Sequence, residues 1–321
     1  MAQLLTSKLG DAAVFTADLG ADPLAFRWHP EVWVLVAFLV GAYVYMVRVI
    51  GPKAVPAGQS PITRFNLVSF VLAMAVLWIA SDWPVHDIGE ENLYSVHMVQ
   101  HMMLSYFLPP LALMATPAWL ARTLLGGGAV YRAVRWLAKP VVAGVLFNAT
   151  VMIIHIPMLV DASVDNGPLH YGLHVLVVTM SLLMWTPVCG PLAEFRIGFA
   201  GQMIYLFLQS VVPTVPAAWL TFADDVVYRV YDKPLRLWGI SAVTDQQLAG
   251  AVMKTAGGLF LWSIVIYLFF AKFAVRHGES YDFKRRGRIP AAEITGHDDA
   301  PLTTADVERE FARTRSATEP G

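Results

Sequence analysis

Apolar positions along this chain run in long, nearly unbroken blocks. Seven can be traced: Val32 to Ile50, Phe65 to Trp83, Leu93 to Ala115, Pro140 to Val160, Leu169 to Val188, Gln202 to Leu220, and Gln247 to Phe270. Each approaches or exceeds the roughly 18 to 20 residues that cross a bilayer as a helix. A soluble fold would interrupt such runs with polar positions at helical or strand spacing. The pattern therefore predicts an all-α fold, a polytopic membrane bundle of about seven transmembrane helices in a lipid bilayer. Prolines punctuate several blocks, among them the third, with Pro109 and Pro110, and the sixth, with Pro213 and Pro216. Each proline removes a helix hydrogen bond, so kinks are expected there. No internal repeat stands out.

The polar connections give an orientation. The first holds Arg48, Lys53 and Arg64, and the third Arg122, Arg132, Arg135 and Lys139. The tail adds Lys272, Arg276, Lys284, Arg285, Arg286 and Arg288. By contrast, the connections with Asp82, Asp87, Glu90 and Glu91, and with Asp161 and Asp165, are acidic. Lysine and arginine favour the cytoplasmic side. The expected topology has the N-terminus outside and the C-terminus cytoplasmic, which requires an odd number of spans. Residues 1–30 are expected to form an extracytoplasmic lead-in, 31–273 the membrane domain, and 274–321 a polar, largely disordered cytoplasmic tail with at most a short helix near Ala305 to Arg313. The first 28 residues carry acids, a lysine and no apolar core segment, so they do not resemble a cleavable signal peptide.

Composition agrees. The 321 residues are 56% hydrophobic and 15% charged, where a soluble chain carries about a quarter charged residues. A net charge of −1 argues against nucleic acid as a partner. The single cysteine, Cys189, excludes an internal disulfide and a CxxC motif, and a helix-end packing role suffices for it.

Nine histidines are present. Solvated surface roles suffice for His29, in the lead-in, and for His277 and His297, in the tail. His86 is expected in the outer loop between the second and third helices. The other five converge. His97 and His101 lie about 6 and 12 Å below the outer start of the third helix, at 1.5 Å rise per residue. His155 lies about 7 Å below the outer end of the fourth, and His170 and His174 open the fifth. Three consecutive helices, running in alternating directions, thus place histidines in one outer layer. Residues four apart share a helix face, so His97/His101 and His170/His174 each form a pair. A lone interfacial histidine is usually a packing or capping residue. Two pairs and a fifth histidine at the same depth point instead to a metal site.

Methionines flank the layer: Met98, Met102 and Met103 around the first pair, and Met158 after His155. Taken singly, each is more simply explained by apolar packing. Together with imidazoles, thioethers favour Cu(I) over zinc or hard cations. The candidate metal set is therefore His97, His101, His155, His170 and His174, with Met98 or Met102 assisting. HMVQH lacks the glutamate of a zinc-protease motif. There is no recognisable nucleophile or phosphate loop, and no enzymatic activity is expected. Asp245, Gln246 and Gln247 would cap the seventh helix. Lys254, about 10 Å inside that helix, would pair with a carboxylate, snorkel outward, or carry a Schiff base. The third helix has no membrane-embedded carboxylate to serve as counter-ion, which weighs against the last of these.

SVHMVQHMML with PP shortly after it, then HYGLH, WTPVCGPL and DQQLAGAVMKTAGGL, resemble the CtaG family of cytochrome c oxidase assembly factors, the seven-helix type associated with cytochrome caa oxidases. The resemblance covers about Trp78 to Trp262. It implies a role in maturing the copper-containing oxidase, by handling copper for insertion, with oxidase subunits as partners and the bacterial cell membrane as the location. On it, His97 and His101 match the family's paired histidines, His170 and His174 the later pair, and Asp245 and Gln246 the last-helix motif. Many members carry tryptophan and proline where this chain has Lys254 and Ala256. Two other readings remain open at this point: a bis-histidine haem-binding cytochrome and a copper transporter.

Overall fold

A computed structural model describes residues 25–164, 166–233 and 236–286, with residues 304, 305, 308 and 309. Most of the expected lead-in, most of the tail, His297 and the His277 side chain lie outside the described residues. The chain divides into two compact units, Met1–Phe269 and Phe270–Gly321. All regular elements among the described residues are helical.

The first apolar block becomes α1 (Pro30–Tyr45), which continues through a π turn (Met46–Ile50) and a last turn at Gly51–Ala54. Its N–H-free Pro30 opens the helix, where no donor is needed. The second block is α2 (Arg64–Ser81). Its start is fixed by a reciprocal cap: the Asn66 amide N–H donates to Thr63 Oγ1 at 3.1 Å, and the Thr63 N–H to Asn66 Oδ1 at 3.0 Å. A short helix α3 (Val85–Glu91) follows, in the stretch expected to be loop.

The third and fourth blocks are broken. α4 (Tyr94–Met102) runs through a π turn (Met103–Phe107) into α5 (Leu108–Ala115), and the chain then bends by 98° into α6 (Ala118–Leu125). The π turn lies just before Pro109 and Pro110, where regular i→i−4 pairing fails. The sharp bend falls later, at Thr116 and Pro117. α7 (Ala129–Leu137) meets α8 (Pro140–Ile154) at 73°. α7 buries none of its residues and sets Arg132 and Arg135 against Val130, Val134 and Leu137, the pattern of a helix lying in a membrane interface. Then come α9 (Pro157–Val164), α10 (Gly167–Cys189), α11 (Phe199–Val211), α12 (Thr214–Thr221) and α13 (Ala242–Arg286). α11 and α12 part at Pro213, as expected. α13 passes the position where the polar tail was expected to begin.

Among the described residues, five helices are long and apolar enough to span a membrane, or up to seven if each bent pair counts as one span. The molecule is thus an all-helical, multi-pass membrane protein. Many of its large apolar side chains, such as Phe38, Val141, Phe207 and Leu259, face outward, as lipid contact requires. Its main core joins Tyr94, Met98, Phe147, Met184, Trp185, Leu206, Tyr228 and Leu261. Small residues let backbones approach. A Cβ on Gly250 of α13 would stand 2.6 Å from the Ala217 carbonyl oxygen on α12. An apolar cavity of about 870 Å³ lies between α1, α2, α5 and α10.

Candidate metal centre

The site is built where α4 begins. Tyr94 and Ser95 present backbone N–H groups that have no partner within their own helix. Asp245 of α13 supplies the acceptor. Its fully buried carboxylate takes hydrogen bonds from Tyr94 N (2.7 Å), Ser95 N (3.0 Å) and Ser95 Oγ (2.5 Å). A carboxylate at this end also complements the helix dipole. The cap expected within α13 is therefore supplied by another residue: Ser241 Oγ accepts from Thr244 N at 3.1 Å. Gln246 fastens a loop instead. Its Oε1 accepts from Val227 N and Tyr228 N at 2.9 and 3.1 Å, and its Nε2 donates to Tyr228 O at 2.9 Å. Tyr228, in turn, donates its hydroxyl to His155 O at 3.0 Å. Burial pushes that phenol well up, so it stays a donor. Gln247 ties Nε2 to Ala223 O at 2.9 Å.

With α4 held in this way, its histidines meet those of α10. Ring centroids lie 4.5 Å apart for His97 and His101, 5.7 Å for His97 and His174, 5.1 Å for His101 and His174, and 4.4 Å for His170 and His174. One ligand atom from each of His97, His101 and His174 falls within 4.8 Å of the others. The same holds for Glu90, His170 and His174. His155 caps the C-terminus of α8. Its Nδ1 donates to Val151 O at 2.7 Å, which leaves Nε2 as the lone-pair nitrogen.

Three buried imidazole nitrogens, His97 Nδ1, His155 Nε2 and His174 Nε2, have no hydrogen-bond partner, and a fourth, His170 Nε2, faces Glu90 Oε1. Orphaned buried nitrogens on three residues are costly, and a shared cation answers that cost. The cavity they border is about 20 Å³ and is also lined by Tyr94, Met98 and Tyr231. That is room for one water-sized species. Neutral imidazoles in this number suit a transition-metal ion, so the residues present fit a metal.

All five predicted histidines therefore come together. Met98 joins them at the cavity. Met102 does not line it; its sulfur lies 3.4 Å from where a Gly257 Cβ would stand. Met158 is exposed. His86 proves buried on α3, with Nδ1 2.9 Å from Glu90 Oε1 and 3.3 Å from Gln100 Nε2. The solvated role expected for His29 gives way to a pairing, its Nε2 3.1 Å from both Asp87 oxygens. Lys254 meets a hydroxyl, donating to Thr214 Oγ1 at 2.6 Å. Glu90 and Gly89 are the residues sequence reasoning missed. Helical spacing offered a signal for Glu90, four residues after His86, but the acidic stretch suggested a loop.

Fold and site together define a helical membrane protein with a buried histidine cluster competent to hold a metal. Residues 42–274 match the family described as cytochrome c oxidase caa3 assembly factor (Caa3_CtaG), and the chain belongs to that family. The match takes in every histidine of the cluster. Uncharacterized proteins of Mycobacterium bovis and Mycobacterium tuberculosis are each 28% identical over 226 residues, covering 63% of this chain and 33% of theirs. The chain thus spans about a third of the length of these curated relatives. No solved structure matches it.

Proposed function

We propose that this protein binds copper as Cu(I) through His97, His101 and His174 and supplies it to a cytochrome c oxidase during assembly of that enzyme. The observation that carries the reading is the convergence of three imidazole ligand atoms within 4.8 Å at a buried cavity. Met98, lining the same cavity, offers the soft donor that favours Cu(I). His155 and His170 stand by as further imidazoles. Membership of an oxidase assembly family supports the client. Copper here is cargo, so the chain's task is to hold the ion and keep water away from it. Loop charges support an extracytoplasmic location for the cluster in a bacterial cell membrane.

Purified full chain in mild detergent is expected to bind about one Cu(I), by the count of imidazole ligands. Replacing His97 and His101 together by alanine is expected to abolish binding and lower oxidase activity in cells. Unchanged stoichiometry in that double variant would sink the assignment. The haem alternative finds little room: about 20 Å³ among the histidines is far below the roughly 300 Å³ at which small-molecule sites begin. His86 and His174 do border the larger apolar cavity, so a visible spectrum without b-type bands is part of the expected result. A transport path would need ligands along the bundle, and both metal-competent triads among the described residues lie in this one cluster.

A further inference from the structure

The ligand atoms of the cluster form two triads that share His174: His97, His101 and His174, and Glu90, His170 and His174. They differ in access. His97 and His101 are buried, whereas the Glu90 side chain retains 24% exposure. They also differ in chemistry, three imidazoles against two imidazoles and a carboxylate. Glu90 Oε1 lies 2.6 Å from His170 Nε2 and 2.9 Å from His86 Nδ1. Both Glu90 Oε1 and His170 Nε2 are sealed from solvent, so this pair is held in the interior of the cluster. A carboxylate and an imidazole facing each other at ion-pair distance can share a proton or a metal cation, and His174 supplies the third ligand atom for the latter.

Building on the copper reading above, we propose that Glu90, His170 and His174 form a second metal position, where Cu(I) is first captured before it moves to the buried triad. A carboxylate is a harder donor than imidazole and holds Cu(I) more loosely, which suits a position that must give the ion up. The shared His174 lets the ion move without being released. In that step the bonds to Glu90 and His170 break and those to His97 and His101 form. The oxidation state does not change, and the freed carboxylate remains beside His86.

The test is Cu(I) uptake by the detergent-purified full chain from a coloured Cu(I) chelator, followed in time and to equilibrium. Glu90→Gln is expected to reach the same final stoichiometry as the parent, but about 10-fold more slowly, matching the lower end of the loss in metal affinity or activity when a group around a metal ligand is removed. Glu90→Asp should recover part of the rate. His170→Asn provides an independent route to the same slowing should Glu90→Gln fail to fold. Parental uptake rates in both Glu90→Gln and His170→Asn overturn the second position while leaving the copper reading intact. Complete loss of binding in folded Glu90→Gln and Glu90→Asp also overturns it, because Glu90 would then belong to a single indivisible site. Absence of Cu(I) binding by the parent chain overturns both readings.

Discussion

Gly89 of α3 lies against the backbone of His97, so closely that a Cβ at position 89 would stand 3.0 Å from both the Cα and the N of His97. Backbone atoms within a helix cannot move aside as a side-chain tip can. The substitution Gly89→Ala is therefore expected to push α4 away from α3 and displace the His97 ring. Overpacking of this kind costs about 1–3 kcal/mol. A lowered thermal midpoint, together with weaker Cu(I) binding, checks it; parental values for both would show that the contact is slack.

Asp245 is predicted to act on the metal without touching it. In Asp245→Ala, two backbone N–H groups and the Ser95 hydroxyl lose their acceptor, at a cost of about 1–3 kcal/mol for a buried unsatisfied group. Asp245→Asn keeps one acceptor oxygen but no charge at the helix start, and should fall between alanine and the parent. Titration of Cu(I) affinity against thermal stability across the three chains is the measurement. Equal affinity in all three would separate the cap from the site.

Binding should weaken in acid. Only a neutral imidazole nitrogen ligates, so protons and copper compete for the same lone pairs, and affinity must rise with pH wherever that competition operates. Cu(I) affinity is expected to fall once the medium is acidic enough to protonate the ligand nitrogens, read by titrating Cu(I) affinity down the pH scale. An affinity that stays constant down to the pH at which the protein unfolds would exclude imidazole ligation.

Gly250 sets the distance between α12 and α13. A methyl group there would lie 2.6 Å from Ala217 O and 2.8 Å from Thr221 N. Gly250→Ala is expected to cost about 1–3 kcal/mol by overpacking, read as lost thermal stability in detergent. Because α13 carries Asp245 and Gln246, metal affinity should fall with it. Gly172 serves as a control, since a Cβ there meets no atom within 4 Å.

The apolar blocks were legible because bilayer thickness imposes a length that no soluble helix must meet. The histidine layer was legible because rise per residue converts position into depth. Depth, however, says nothing about rotation. Met98 and Met102 differ by four residues and share a helix face in projection, yet only Met98 reaches the cavity; Met102 lies one turn, about 6 Å, further along α4. Glu90 escaped notice because an acidic run between two apolar blocks resembles a loop, and a seven-residue helix is too short to declare its period. The DQQ stretch is legible as the start of a helix, but not that its Asp245 caps α4. A side chain's partner 150 residues away cannot be seen in local spacing.

That separation bears on how the protein is made. The chain emerges from the ribosome N-terminus first, so His97, His101, His170 and His174 are all synthesised before Asp245. Until the last span inserts, α4 has no acceptor for its first N–H groups and Tyr228 has no Gln246 to hold it. The histidines of a nascent or truncated chain are thus left without the frame that aims them at one another. On the copper reading proposed above, competence to hold the ion would arise only once the Asp245 segment is in place, and a chain lacking it would not capture the ion.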